Sequence, residues 1–189
     1  MKTLDRLYRL LYRYHYKPVR YMFKEIKKRY PGKKLIGVEI GVCEALNAFN
    51  YLRTIENIEL TYLIDSYGYY EQDGNPRDFS HYEKIAKRRV APFGKRVKFI
   101  KKKSEDAIDM FEDASLDFVY IDGDHSYAAV KNDIKLYYPK VKAGGIFGGD
   151  DFCIKFPGVA KAVLEFVEEY NLELHGANRD WWIIKQERI

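Results

Sequence analysis

Five residues with acid–base or ligand chemistry fall in two short runs: Asp122, Asp124 and His125 in one, Asp150 and Asp151 in the other. Each run follows an apolar stretch, Leu116–Ile121 and Gly145–Gly149, that reads as a buried parallel strand. Neighbouring strand ends in such a sheet lie side by side, so Asp122 is expected within reach of Asp150 and Asp151. Three carboxylates converging in a cleft repel one another unless a hard cation such as Mg²⁺ neutralises them. Aspartate is also favoured at helix N-caps and in turns, which accounts for one of the three more easily than for all. His125 follows a candidate metal ligand by three residues and is placed to take a proton from an acceptor hydroxyl. His15, His81 and His175 lack that context and receive no role.

A second group lies earlier in the chain. Glu39-Ile40-Gly41 ends an apolar run, and Gly41 supplies a residue without a side chain where backbone approaches a ligand. Glu44 and Ala45 stand where GxGxxG would place further glycines, so a dinucleotide pyrophosphate is poorly served. A carboxylate at Glu39 would repel phosphate but suits an ammonium group. Asp65, ending the next apolar run, is placed to accept hydrogen bonds from a ribose diol. Ribose without pyrophosphate, joined to an amino-acid moiety, describes S-adenosylmethionine better than NAD. The plainer alternative is a strand-end turn whose acids are merely solvated.

Stepping outward, strand and helix alternate from residue 33 to the C-terminus. Short strands are expected at 35–40, 60–65, 97–100, 116–121 and 145–149, with helices at 45–54, 81–91, 104–112, 127–138 and 159–170 between and after them. This is the pattern of a mostly parallel sheet covered on both faces, and a final pair, 172–176 and 181–186, would add an antiparallel edge hairpin. Ligands bind such sheets at the carboxyl ends of the strands, where Glu39/Gly41, Asp65, Ser104, Asp122 and Asp150/Asp151 fall. Residues 66–80 are rich in Tyr, Gly, Asn and Pro without periodicity and read as a lid or binding loop.

The net charge of +5 hides an asymmetry: residues 1–34 carry a local net of +10 and the remainder −5. Leu4, Leu7, Leu11 and Tyr14 recur at helical spacing in this basic, Tyr-rich stretch, and a second helix is expected from Val19 to Tyr30. The domains expected are therefore an N-terminal helical extension, 1–32, and one α/β domain, 33–189. The extension suits an anionic partner, docking on its own body, or pairing with a second copy as a homo-oligomer. Cys43 and Cys153 form no CxxC pair, and no apolar run approaches a membrane span or a signal peptide core, so a soluble, cytoplasmic protein is expected.

The IDGDHSY segment, residues 121–127, closely resembles a block of the class I methyltransferases grouped with macrocin-type and related small O-methyltransferases. KAGGIFGGDDF at 142–152 and FPGVAKAV at 156–163 are similar to further blocks of that family. The resemblance covers about residues 33–187, and implies a Rossmann-like class I methyltransferase fold that uses S-adenosylmethionine on a small-molecule or saccharide hydroxyl. The layout is more distantly similar to catechol-type, metal-dependent O-methyltransferases. On that template Asp122, Asp150 and Asp151 fall on the metal-ligand positions, and His125 falls where a catalytic Lys stands. Glu39, Gly41, Asp65, Ser104 and Asp122 fall on the cofactor side. Ala45 departs from the family in replacing a glycine, which would tighten the cofactor pocket. A nucleic-acid methyltransferase using the basic arm is an alternative; it would bind with steep salt dependence, but no NPPY-like tetrapeptide is present. A non-catalytic S-adenosylmethionine-binding scaffold is another.

Overall fold

The computed structural model describes residues 18–72 and 75–186. The helix expected over residues 4–14 lies outside them. Seven strands form one sheet: β1 Leu35–Ile40, β2 Ile58–Ile64, β5 Val97–Ile100, β6 Leu116–Ile121, β7 Val141–Gly149, β8 His175–Ala177 and β9 Asp180–Ile184. Their spatial order is β5-β2-β1-β6-β7-β9-β8. The first five run parallel, while β9 pairs antiparallel with β7 and β8 antiparallel with β9. The expected parallel sheet with an antiparallel C-terminal edge is what the chain forms.

The apolar runs are strands because both of their faces are covered. Every residue of β6 is buried. Val119 and Ile121 meet the helices α5 (Tyr127–Tyr137) and α6 (Pro157–Glu169) on one face. Phe118 and Tyr120 meet α1 (Tyr21–Arg29) and α2 (Leu46–Thr54) on the other, where α3 (Tyr82–Val90) also packs. A short helix, α4 (Ser104–Ala107), follows β5.

Four boundaries differ from the sequence expectation. The aperiodic stretch 66–80 contains a two-stranded hairpin, β3 Tyr69–Gln72 and β4 Asn75–Asp78. The one cue in the sequence was the Asp73-Gly74 dipeptide after Tyr69-Tyr70, a turn signal rather than a periodic one. The helix expected at 104–112 stops after one turn and continues as a 3₁₀ turn, Ile108–Met110, that lets Phe111 enter the core. The turn expected at Ala143–Gly145 is an irregularity within a longer β7, with Gly144 at positive φ where the pairing with β6 shifts register. The C-terminal strands are shorter than expected.

The described part of the N-terminal segment docks on the body, one of the alternatives its sequence left open. Its helix α1 is a layer of the body: Met22, Phe23 and Ile26 are buried, and the Phe23 ring stacks on Tyr51 at 4.1 Å and meets Phe118 edge-on at 5.6 Å. Lys27, Lys28 and Arg29 stay exposed in the last turn, where cations favour the carbonyl end of a helix. Arg20, at the N-cap of α1, makes no side-chain capping bond. Asp180 of β9 caps the first turn instead, accepting hydrogen bonds from the amides of Tyr21 and Met22, the latter at 3.3 Å. Tyr120 donates to the other oxygen of Asp180 at 3.1 Å. Among the described residues, no helix is long and apolar enough to cross a membrane.

Phe23→Ala should therefore destabilise the fold by about 3–5 kcal/mol, the usual cost of emptying an aromatic core position. Urea denaturation reads this directly. An unchanged midpoint would mean that α1 is an appended arm after all.

Candidate active site

The strand order reverses between β1 and β6: from β1 the chain winds outward to β2 and β5, then returns to β6 and continues to β7. Ligands bind in open α/β sheets at such a switch point, outside the carboxyl ends of the strands. Here Gly41 follows β1 and Asp122 follows β6. Gly41 has φ +82°, and a Cβ on it would overlap the Asp122 carbonyl, so only glycine lets the two turns pass in contact. Two adjoining cavities open at this crevice, of about 320 and 600 Å³, sharing Gly41, Cys43, Phe79, Asp122 and Gly123.

The smaller cavity holds Asp65, Ser104 and Asp122 of the expected cofactor set. Asp65 is half-buried, and its Oδ2 accepts from the amides of Val42 and Cys43 at 2.9 and 2.8 Å. Its Oδ1 accepts from the Tyr67 amide at 2.8 Å. The carboxylate therefore shapes the Gly41 turn as well as facing the cavity, and an ionised carboxylate retains acceptor capacity beyond three bonds. The Ser104 hydroxyl donates to Asp133, whose own carboxyl burial pushes up to about 6. Cys43 faces both cavities, and burial pushes its thiol up to about 11, so it is an unreactive wall. Ala45 lines neither cavity. It is fully buried in the helix-side core in a left-handed conformation, φ 56°, so its methyl does not narrow the cleft.

Glu39 faces the larger cavity at 1% exposure. Oε1 accepts from Asn47 at 3.4 Å, while Oε2 is buried without a hydrogen-bond partner among the described residues. Burial pushes this carboxyl up to about 8, against the opposing pull of Tyr51 and Asn47. A buried acceptor left unpaired carries a desolvation cost that a ligand donor would relieve. A positively charged donor such as an ammonium group would satisfy that oxygen and favour the ionised carboxylate.

The acidic half departs from expectation in its pairing. Asp122, His125 and Asp151 each bring a ligand atom within 4.8 Å of the others. His125 Nε2 lies 2.7 Å from Asp151 Oδ2, and its ring stacks on Phe156 at 4.3 Å. Asp150 stands outside this group. Its Oδ2 takes an ion pair from Arg20 and another from Arg179 at 3.0 Å, while its Oδ1 is buried and unpartnered among the described residues. Arg179 also reaches Asp151 Oδ1 at 3.0 Å. Burial, and then Asp150, raises the Asp122 carboxyl well above the usual aspartate range despite Arg20. Burial would raise Asp151 too, but His125, Arg179 and Arg20 outweigh it and hold that carboxyl low.

Sequence reasoning missed both arginines. Arg20 was one charge among twelve in a basic stretch, and Arg179 one residue of a turn. The available signal was electrostatic. Converging carboxylates demand countercharge, and two guanidiniums supply part of what a metal ion was expected to supply alone.

The fold and the strand-tip site together define a Rossmann-like methyltransferase. The chain belongs to the methyltransferase-domain family, which matches residues 38–152, and is an S-adenosylmethionine-dependent enzyme. Among solved structures, the O-methyltransferase NovP is similar over 88% of this chain and 76% of its own, at 19% identity and a TM-score of 0.64. The TDP-rhamnose 3'-O-methyltransferase CalS11 of calicheamicin biosynthesis is similar over 86% and 76%, at 12% identity and a TM-score of 0.60. The MycE methyltransferase of the mycinamycin pathway, solved with Mg, SAH and mycinamycin VI, matches 87% of this chain and 48% of its own, at 16% identity and a TM-score of 0.59. At these identities the likeness is one of fold. No curated protein matches the sequence.

The Glu39 carboxyl gives a pH test. Its folded value, about 8, lies above the ordinary 4.5. Its contribution to stability is therefore intact below the ordinary value and is lost as pH rises through the folded one. Glu39→Gln should gain stability over the wild type between about pH 5.5 and about pH 8.5. Urea midpoints that stay parallel across that range would show Glu39 ionised throughout.

Proposed function

We propose that this enzyme is an O-methyltransferase for a small-molecule or saccharide hydroxyl, assisted by a divalent cation such as Mg²⁺. The observation that carries this reading is the meeting of Asp122, His125 and Asp151 in the wall of the larger cavity, with Asp122 also lining the smaller. Glu39, Gly41, Asp65 and Ser104 would hold the cofactor, with Glu39 toward its ammonium and Asp65 toward its ribose. When bound, S-adenosylmethionine supplies a methyl on a sulfonium, released to the acceptor oxygen in one displacement as the carbon–sulfur bond breaks.

Asp122 and Asp151 would hold the cation, with Asp150 offering its unpartnered Oδ1 while the arginines keep Oδ2. Such an ion supplies direct stabilisation of a developing alkoxide. His125, oriented by Asp151 and by the face of Phe156, accepts the hydroxyl proton. The walls keep acceptor and methyl donor adjacent, and that proximity contributes much of the acceleration. CalS11 acts on a sugar nucleotide and MycE was solved with Mg, and both support the reading by analogy of fold. Of the basic stretch, Arg20 is committed to Asp150 and Asp180.

His125→Ala should lower turnover by about 10²–10⁴-fold, the range for a positioned general base, with cofactor affinity unchanged by calorimetry. Asp122→Asn should abolish the stimulation of turnover by Mg²⁺. Full activity in excess EDTA would remove the cation from the proposal, and an unaffected His125→Ala rate would assign the proton elsewhere.

A further inference from the structure

Two carboxylate oxygens at the tip of β7 are buried and accept no hydrogen bond among the described residues, Asp150 Oδ1 and Asp151 Oδ1. Their side chains are only 2% and 7% exposed, and both residues line the larger cavity. Buried acceptors are ordinarily met by N–H or O–H donors, and a bare one carries a desolvation cost. Two bare oxygens on successive residues suit a hard cation, which takes oxygen ligands and needs no hydrogen-bond geometry. The other oxygen of each residue is engaged. Asp150 Oδ2 is held by Arg20 and, at 3.0 Å, by Arg179. Asp151 Oδ2 lies 2.7 Å from His125 Nε2. A cation that leaves His125 its partner must therefore meet Asp151 through Oδ1.

That approach is already taken. Arg179 stands 3.0 Å from Asp151 Oδ1, within ion-pair distance though not aligned as a hydrogen bond. A guanidinium does not give up its proton, so a divalent cation on the same oxygen would sit against a fixed like charge. The two exclude each other there. How the arginines are anchored decides which of them yields. Arg20 stands at the head of α1, reaches Asp180 at 3.7 Å besides Asp150, and is the more enclosed of the pair. Arg179 lies in the turn between β8 and β9, where its carbonyl accepts the Phe152 amide at 2.9 Å. Its backbone is thus pinned beside Asp151, while its side chain is 45% exposed. That long side chain can turn one nitrogen from Asp151 into solvent and keep the other on Asp150 Oδ2, with no movement of the turn.

We propose that Arg179 and the divalent cation compete for Asp151 Oδ1, so that withdrawal of this guanidinium sets how tightly the cation binds. This rests on the cation-assisted reading and adds the residue that regulates it. The test is calorimetric titration of Mg²⁺ into the full chain saturated with S-adenosylhomocysteine, as wild type, Arg179→Met and Arg179→Lys. Methionine removes the competitor. Lysine keeps a countercharge for the buried Asp150 but has a single nitrogen to offer, so it cannot bridge both carboxylates. A site blocked about nine-tenths of the time or more loses at least about tenfold in apparent affinity. Arg179→Met should therefore bind Mg²⁺ at least about tenfold more tightly than the wild type. Arg179→Lys should fall between them, and it carries the test alone if the methionine variant does not fold. An Arg179→Lys affinity equal to that of the wild type overturns the competition, since the cation would then be meeting charge and not an occupied oxygen. Weaker binding by either variant overturns it too, and makes Arg179 an orienting residue. One affinity for all three leaves the cation reading standing without the competition, whereas no Mg²⁺ binding by any of them removes both.

Discussion

A carboxylate can stay buried only where something opposite in charge or rich in donors meets it, and this condition organises the molecule. Asp150 is 3% exposed at the tip of β7, and its countercharges come from Arg20 and Arg179, one near each end of the described chain. Asp180 is equally enclosed, and it is satisfied by Tyr120 and by the first amides of α1. Removing either arginine leaves Asp150 with one countercharge, and removing Asp180 leaves the first amides of α1 without their acceptor. The N-terminal helix, the central strand β6 and the C-terminal hairpin are thus bound to one another through the site rather than around it.

Backbone conformation tells a parallel story. Cys43, Ala45, Tyr67 and Asp151 all have positive φ without being glycine, and all lie in turns at the strand tips. Each such residue carries strain that only a well-determined surrounding sustains. Asp65 holds the Val42, Cys43 and Tyr67 amides, while Arg89, 7% exposed, holds the Glu44 carbonyl and carboxylate from α3. The turn after β1 is clamped from two sides by contacts within the protein itself. This is preorganisation in the ordinary sense: the ordering cost is met in folding rather than in binding.

Much of this architecture was legible in the sequence because burial on both faces writes continuous apolar runs. Leu35–Ile40 and Leu116–Ile121 are strands with the expected bounds, and the acids after them do stand at the crevice. What was hidden depends on partners distant in sequence. Nothing local in Arg20 or Arg179 distinguishes a site arginine from a surface one, and the basic stretch around Arg20 masked the helix stripe of Met22, Phe23 and Ile26. The hairpin at 69–78 was missed because its cue is a turn dipeptide, not a period. Ala45 misled in another way. Its glycine-like backbone is real, but its methyl turns into the core, and only the direction of the Cβ decides which cavity a side chain fills.

The capping of α1 by Asp180 has a consequence for how the protein comes into being on the ribosome. The first helix of the described chain has its leading amides and its arginine addressed to residues 150 and 180, which are made long after it. Contacts so far apart along the chain form late, once the loop closure between them has been met by the rest of the sheet. The nascent chain therefore carries the Gly41 turn and most of its parallel strands before Asp150 and Asp180 exist to pair with Arg20 and the head of α1.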